Sequence, residues 1–175
     1  MGLIFLRHPP VEGRGLCYGR HDPPLLADAP ARIARATAAL PPAPRLLASP
    51  APRCRALAQA AAAALGLVLD YDPRLRELDF GTWEGRPWAA IPRAELDRWA
   101  EDPETRAPPG GETFAALKAR VHAALAGLDA AVIVTHAGPI RAARILAGQA
   151  DFATAFGAEI PHATPIRLPA LARCP

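Results

Sequence analysis

A chain of 175 residues and 18.5 kDa is long enough for one sizeable core and too short for two, so a single domain spanning 1–175 is expected. Apolar residues make up 51%, much of it alanine, yet no run approaches the roughly 18–20 apolar residues of a membrane span, so no membrane partner is expected. The net charge of +3 is small, and its arginines (Lys118 is the one lysine) are scattered instead of forming a basic stripe, which argues against a nucleic-acid partner and suits recognition of small anions.

The apolar run Gly2-Leu3-Ile4-Phe5-Leu6 reads as a strand that delivers Arg7 and His8 at its end. It lacks the basic and cleavable regions of a signal peptide, so a cytoplasmic location is expected. Pro9 to Leu26 has turn chemistry throughout. Ala29 to Leu40 has helical spacing and is stopped by Pro41-Pro42. Leu46-Leu47-Ala48 predicts a short buried strand, followed by Ser49 as an N-cap and an Ala-rich helix to Leu65, ended by Gly66. Leu67-Val68-Leu69 predicts the next strand. Residues 72–111 carry all three tryptophans and several prolines and read as a lid or side wall, with short helices around Ile91 to Ala100.

Thr113 to Leu128 predicts a long amphipathic helix, and the β-branched run Ala131-Val132-Ile133-Val134-Thr135 a central strand buried on both faces. A helix from Pro139 to Leu146 and a last strand near Thr164 to Leu168 complete the chain. Strands alternating with helices predict an α/β fold of three layers, α/β/α, with a mostly parallel central sheet and helices on both faces. Cys17, Cys54 and Cys174 are odd in number and unpatterned, and imply neither a disulfide framework nor a metal or redox motif.

The strand ending in Thr135 is followed by His136-Ala137-Gly138-Pro139, which sets a second histidine where His8 stands after the first strand. In open α/β sheets ligands lie outside the carboxyl ends of strands, so parallel pairing would bring His8 and His136 to one crevice. The helix beginning at Pro139 offers unpaired backbone N–H groups to an anion. Arg53 and Arg55 fall in the first turn of the helix after Ser49-Pro50, where a cation is mildly unfavourable unless an anion is bound; position alone does not choose between them.

Five ordered segments resemble the histidine phosphatase superfamily, the phosphoglycerate-mutase-like enzymes. They are Leu6-Arg7-His8; the stretch from Tyr18-Gly19 through Asp22-Pro23-Pro24-Leu25; Ser49-Pro50 with Arg53-Cys54-Arg55; Leu75 to Gly85; and Thr135 to Arg141. The Leu75 to Gly85 block, the Gly110-Gly111-Glu112-Thr113 turn and the compact length look most like the branch containing α-ribazole phosphatase of cobalamin biosynthesis. The resemblance implies a phosphomonoesterase acting on a small phosphorylated metabolite through a phosphohistidine, without cofactor or metal, as a monomer or homodimer. By it His8 is the nucleophile, Glu77 the proton donor, and Arg7, Arg53 and His136 hold the phosphoryl group, with the Ala137 N–H as a further donor. Arg55 then has no role, and Asp79 and Glu84 are supporting residues. A general acid must hold its proton at working pH, for which Glu77 would need burial beside Trp83 or a bound phosphate dianion.

Two departures concern selectivity. Pro9-Pro10-Val11 replaces the family's usual glycine and the acidic and hydroxyl residues after the nucleophile, and the chain has no asparagine for the usual phosphate contact. Other chemistries fit poorly. Ser49 is the only serine and lacks the glycines of a nucleophile elbow, while Cys17 and Cys54 are followed six residues later by Pro23 and Ala60 instead of arginine. A metal-dependent phosphohydrolase using His21-Asp22 with His8, His122 or His162 would need ligands that this sequence spreads far apart. A phosphoglycerate-mutase-like phosphotransferase and a non-catalytic phosphate-binding protein are the remaining alternatives.

Overall fold

The computed structural model describes residues 2–172, so Cys174 lies outside them. Five strands, β1 (Leu3–Arg7), β2 (Leu46–Ala48), β3 (Leu69–Tyr71), β4 (Ala131–Thr135) and β5 (Ile166–Leu168), form one sheet in the order β3-β2-β4-β1-β5. The four strands from β3 to β1 are mutually parallel, and β5 closes the far edge antiparallel to β1.

Alternation along the central strands sorts the core into two faces. Leu3 and Phe5 of β1 join Ala131 and Ile133 of β4 under α4 (Phe114–Leu125) and α5 (Ala137–Leu146). Ile4, Leu6, Val132 and Val134 face the other way, where α2 (Pro52–Leu65) packs with α1 (Ala29–Ala38) beside it. Both faces of β1 and β4 are therefore covered, which is why their sequences read as continuous apolar runs. A third cluster of Cys17, Trp83 and Ile91, flanked by Trp88, Trp99 and α3 (Arg93–Glu101), gathers the 3₁₀ turns at Gly81–Trp83 and Trp88–Ala90, whereas the 3₁₀ turn at Pro73–Leu75 sends Leu75 into the core under α4.

Several boundaries differ from the sequence expectation for identifiable reasons. Helix α2 is capped by Ala51, not Ser49, since Ala51 precedes Pro52 and takes extended backbone angles (φ −58°, ψ 134°) that a helix cannot contain. Strand β3 starts at Leu69 instead of Leu67, because Leu67 N–H still bonds the Ala62 carbonyl and Val68 is 82% exposed. Helix α5 begins at Ala137, two residues before Pro139. The short helix α6 (Phe152–Gly157) was not expected; its signal is Asp151, whose carboxylate accepts from Thr154 N–H at 2.7 Å. No described helix is long and apolar enough to cross a membrane.

Gly66 ends α2 in the left-handed region at φ 65°, with open space where a Cβ would stand. Gly66→Ala should therefore cost only the conformational term, about 1 kcal/mol, read as a lower urea midpoint with an unchanged slope. An unchanged midpoint would contradict that account of the α2 terminus.

Candidate active site

Parallel pairing sets Arg7 opposite Thr135 and Ala48 opposite Val134, so His8, Ser49 and His136 all leave the sheet at one edge. The His8 and His136 rings meet edge to face with centroids 5.3 Å apart, and both residues are buried. His8 Nδ1 lies 2.7 Å from the Pro9 carbonyl. A carbonyl only accepts, so Nδ1 carries the proton and Nε2 keeps its lone pair. The proline that interrupts the expected motif thus orients the ring.

His136 is the N-cap residue of α5 and is held through Nε2, 2.8 Å from Ser49 Oγ. Ser49 Oγ also accepts from Ala51 N–H at 3.3 Å, which fixes the hydroxyl oxygen against the imidazole. Ser49 is therefore a site residue whose role sequence reasoning assigned to helix capping. Cys54 Sγ, also buried, sits 3.6 Å from the same Nε2.

Arg53 projects from the first turn of α2 with a fully buried side chain. Its Nη1 donates to Asp22 Oδ1 at 2.5 Å and to the His21 carbonyl at 3.1 Å, its Nη2 donates to the Gly19 carbonyl at 2.7 Å, and its guanidinium carbon lies 5.4 Å from the Tyr18 ring centroid. The loop that supplies these acceptors is tied by Glu84, whose carboxylate accepts from the backbone N–H groups of Gly19, Arg20, His21 and Phe80, each at 2.9 Å. Asp79 accepts from Gly81 N–H at 2.9 Å and pairs with Arg20 at 3.4 Å. Arg55 is exposed and donates to the Pro50 carbonyl at 3.3 Å, so the structure separates the two arginines that position left open.

Glu77 reaches the start of α5. Gly138 N–H donates to Glu77 Oε1 at 3.0 Å, and a Cβ on Gly138 would stand 2.1 Å from that oxygen, so only glycine admits this approach. The Glu77 backbone is fixed from below. Thr135 Oγ1 donates to the Leu75 carbonyl at 2.6 Å, and Arg120 Nη2 donates to the Glu77 carbonyl at 3.0 Å while Arg120 Nε holds Glu112 at 2.7 Å. Arg120 carried no sequence signal and Thr135 only a place in the Thr135 to Arg141 segment without a role, since each acts on backbone carbonyls some 40 to 60 positions away.

The expected partner of Glu77 is elsewhere. Trp83 lies in the third cluster with Nε1 donating to Glu95 at 2.9 Å, whereas Glu77 lines a hollow of about 70 Å³ with Phe80, Trp99, Phe114, Arg141 and Phe156. Of the tryptophans expected to wall the site, Trp99 alone lines this hollow; Trp83 is core.

Arg7 Nε, Arg53 Nε and His136 Nδ1 are buried and find no partner among the described residues, while Arg7 Nη1 and both Arg53 Nη atoms are already bonded. Ala137 opens α5, whose first amides have no acceptor inside the helix. Burial, then the Arg53 charge, holds both His8 and His136 well below the usual imidazole range, so both rings are neutral near pH 7. The arrangement joins a neutral imidazole nitrogen to donors suited to phosphoryl oxygens and to a carboxyl group.

His162, which was weighed only as a metal ligand, stands against His8 at 5.2 Å between centroids, and burial pushes it down to about 4. Among the described residues no group of three or more His, Cys, Asp or Glu side chains is placed to hold a metal; Asp22 is committed to Arg53 and His122 lies on exposed α4 surface.

A family model described as the histidine phosphatase superfamily (branch 1) matches residues 3–168. The chain is 34% identical over 105 residues to the bifunctional protein Rv2228c of Mycobacterium tuberculosis, a match that covers 55% of this chain and only 29% of that protein. It is similar in structure to a phosphoglycerate mutase from Thermus thermophilus, with a TM-score of 0.75 and 29% identity, covering 96% of this chain and 98% of the other. A candidate α-ribazole-5′-P phosphatase from Escherichia coli shares the fold with a TM-score of 0.81 at 21% identity, covering 99% and 97% of the two chains.

The depressed histidines set the sign of a pH effect. Unfolded imidazoles titrate near about 6.5, so below that pH the unfolded chain takes up protons that the folded chain refuses, and stability falls as pH falls. Urea unfolding should give a stability that is fully present above about pH 6.5 and declines toward the lowered folded values, which for His162 is about 4. Stability that holds level or rises from pH 7 to pH 5 would contradict the buried neutral imidazoles.

Proposed function

The chain belongs to branch 1 of the histidine phosphatase superfamily, and from that premise we propose that it is a metal-independent phosphomonoesterase acting through a phosphohistidine at His8. The observation that carries this reading is the lone pair on His8 Nε2, set by the Nδ1–H bond to Pro9, beside the buried Arg7 Nε, Arg53 Nε and His136 Nδ1, which have no partner among the described residues. His8 Nε2 attacks phosphorus in line, and the bond to the alkoxide breaks as the P–N bond forms. Arg7, Arg53 and His136, with the Ala137 N–H, take the phosphoryl oxygens and stabilise their charge.

Glu77 gives its proton to the departing alkoxide and then takes one from the water that attacks the phosphohistidine. Inorganic phosphate leaves and His8 is restored. The Gly138 N–H at the start of α5 holds Glu77 in reach of both events.

The organic part of the substrate lies on the Glu77 side. The hollow there is lined by Phe80, Trp99, Phe114 and Phe156, and its one cation, Arg141, already donates to the Ala155 and Ala158 carbonyls. At about 70 Å³ the hollow is too small for a whole ring system, but its apolar lining favours an apolar group beside the ester over a carboxylate such as that of phosphoglycerate. The resemblance of Leu75 to Gly85 supports α-ribazole 5′-phosphate or adenosylcobalamin 5′-phosphate as substrate, and the proposed enzyme is a cytoplasmic monomer or homodimer.

Turnover of p-nitrophenyl phosphate should survive EDTA and vanish in His8→Ala. Glu77→Gln should lose about 10²–10⁴ in rate on alkyl phosphates and much less on p-nitrophenyl phosphate, whose leaving group needs no proton. Full activity in His8→Ala, or loss in EDTA restored by a divalent metal, would overturn the reading. Isomerisation of phosphoglycerate faster than phosphate release would identify a mutase, and phosphate binding without turnover of any ester a binding protein.

A further inference from the structure

Arg7 and His8 leave β1 against residues 160–163, a segment outside the five motifs. Arg7 Nη1 donates to the Ile160 carbonyl at 2.8 Å, Ala163 N–H donates to the Arg7 carbonyl at 2.9 Å, and His162 Nδ1 lies 2.7 Å from the His8 carbonyl. Because the carbonyl only accepts, His162 carries its ring proton on Nδ1. Ala163, next in the chain, is the one non-glycine residue with positive φ among the described residues, at 45°, so the strap is held in a conformation that alanine adopts at a cost of about 1 kcal/mol.

We infer that His162 is a positioning residue for the nucleophile, acting through the His8 carbonyl on the ring nitrogen that must carry the proton. The bond from His162 fixes the plane of the His8–Pro9 peptide. Beyond that plane little freedom is left, since the Pro9 ring locks φ near about −65° and Pro10 confines Pro9 to extended ψ. The direction of the Pro9 carbonyl therefore follows from the His8 carbonyl, and the Pro9 carbonyl is what accepts His8 Nδ1–H. Losing the His162 donor frees the peptide plane to turn, and with it the tautomer and aim of His8.

The inference also gives a use to Pro9-Pro10, the segment where this chain departs from its relatives' usual pattern. A flexible glycine after His8 would transmit little from a distant donor to the ring. Two prolines transmit nearly all of it. The proposal rests on His8 as the nucleophile, but its structural half, control of the His8 tautomer, does not require turnover.

The test compares His162→Phe, which keeps a ring and removes the donor, with His162→Asn, whose amide can donate to the same carbonyl. Two readouts apply: steady-state hydrolysis of p-nitrophenyl phosphate with inorganic phosphate as inhibitor, and ¹⁵N chemical shifts of the His8 ring in the unliganded protein. His162→Phe should lower kcat about tenfold or more, leave the inhibition constant of phosphate within about twofold, and move the His8 shifts from pure Nδ1–H toward a mixture of tautomers. His162→Asn should restore kcat to within about threefold of wild type and return the shifts. Should His162→Phe fail to fold, His162→Ala is read in the same way.

Wild-type kcat with unchanged His8 shifts in the donorless variant overturns the inference, as does a His162→Asn protein as impaired as His162→Phe. If the shifts move while kcat does not, His162 positions the ring but the ring is not the nucleophile, and it is the functional reading that fails.

Discussion

The parallel pairing of β1 with β4 is the constraint on which the site depends. Its register, Arg7 opposite Thr135, brings two histidines 128 positions apart in the chain into edge-to-face contact at 5.3 Å. A slip of β1 by one residue would turn Leu3 and Phe5 toward α2 and move Arg7-His8 out of register with Thr135-His136. Register is protected because both faces are buried: each alternate residue of β1 and β4 packs under a different helix pair. The apolar pattern that makes the core thus also aims the chemistry.

Around that pairing, the site brings positive charge into a place where its imidazoles stay neutral. Arg53 is wholly buried, and removing one partner from such a pair typically costs about 3–5 kcal/mol because the other charge is stranded. Asp22 and the carbonyls of Gly19 and His21 satisfy its far end, and Glu84 holds the loop that carries them through four backbone N–H groups. The near end, Arg53 Nε, together with Arg7 Nε and His136 Nδ1, has no partner among the described residues. The same cations and the same burial keep His8 unprotonated, so the features proposed to hold a phosphoryl group also preserve the imidazole lone pair. On the proposed function, anion binding and imidazole reactivity are one electrostatic arrangement.

Much of this was legible in the sequence where a residue's role follows from its own strand or helix. The runs ending in Arg7-His8 and Thr135-His136 announce central strands and the turns that follow them, and Gly66 marks the end of α2. Roles that depend on distant backbone were not legible. Ser49 reads as a helix cap, yet it holds His136 from 87 positions away; Arg120 and Thr135 secure the Glu77 segment through carbonyls that any residue could present. Trp83 and Trp99 look alike in sequence, and only packing makes one a core residue and the other part of the hollow beside Glu77. Arg53 and Arg55 were separable by resemblance and not by pattern, because both lie in the same helical turn and only burial distinguishes them.

The most direct test of the account is to trap the covalent intermediate. Enzyme mixed with a ³²P-labelled phosphomonoester and quenched in alkali, where phosphohistidine survives, should carry label on the peptide containing His8, at most one phosphoryl group per chain, and the label should be absent in His8→Ala. Label on another residue, or undiminished turnover with no label on His8 at any time after mixing, would contradict it.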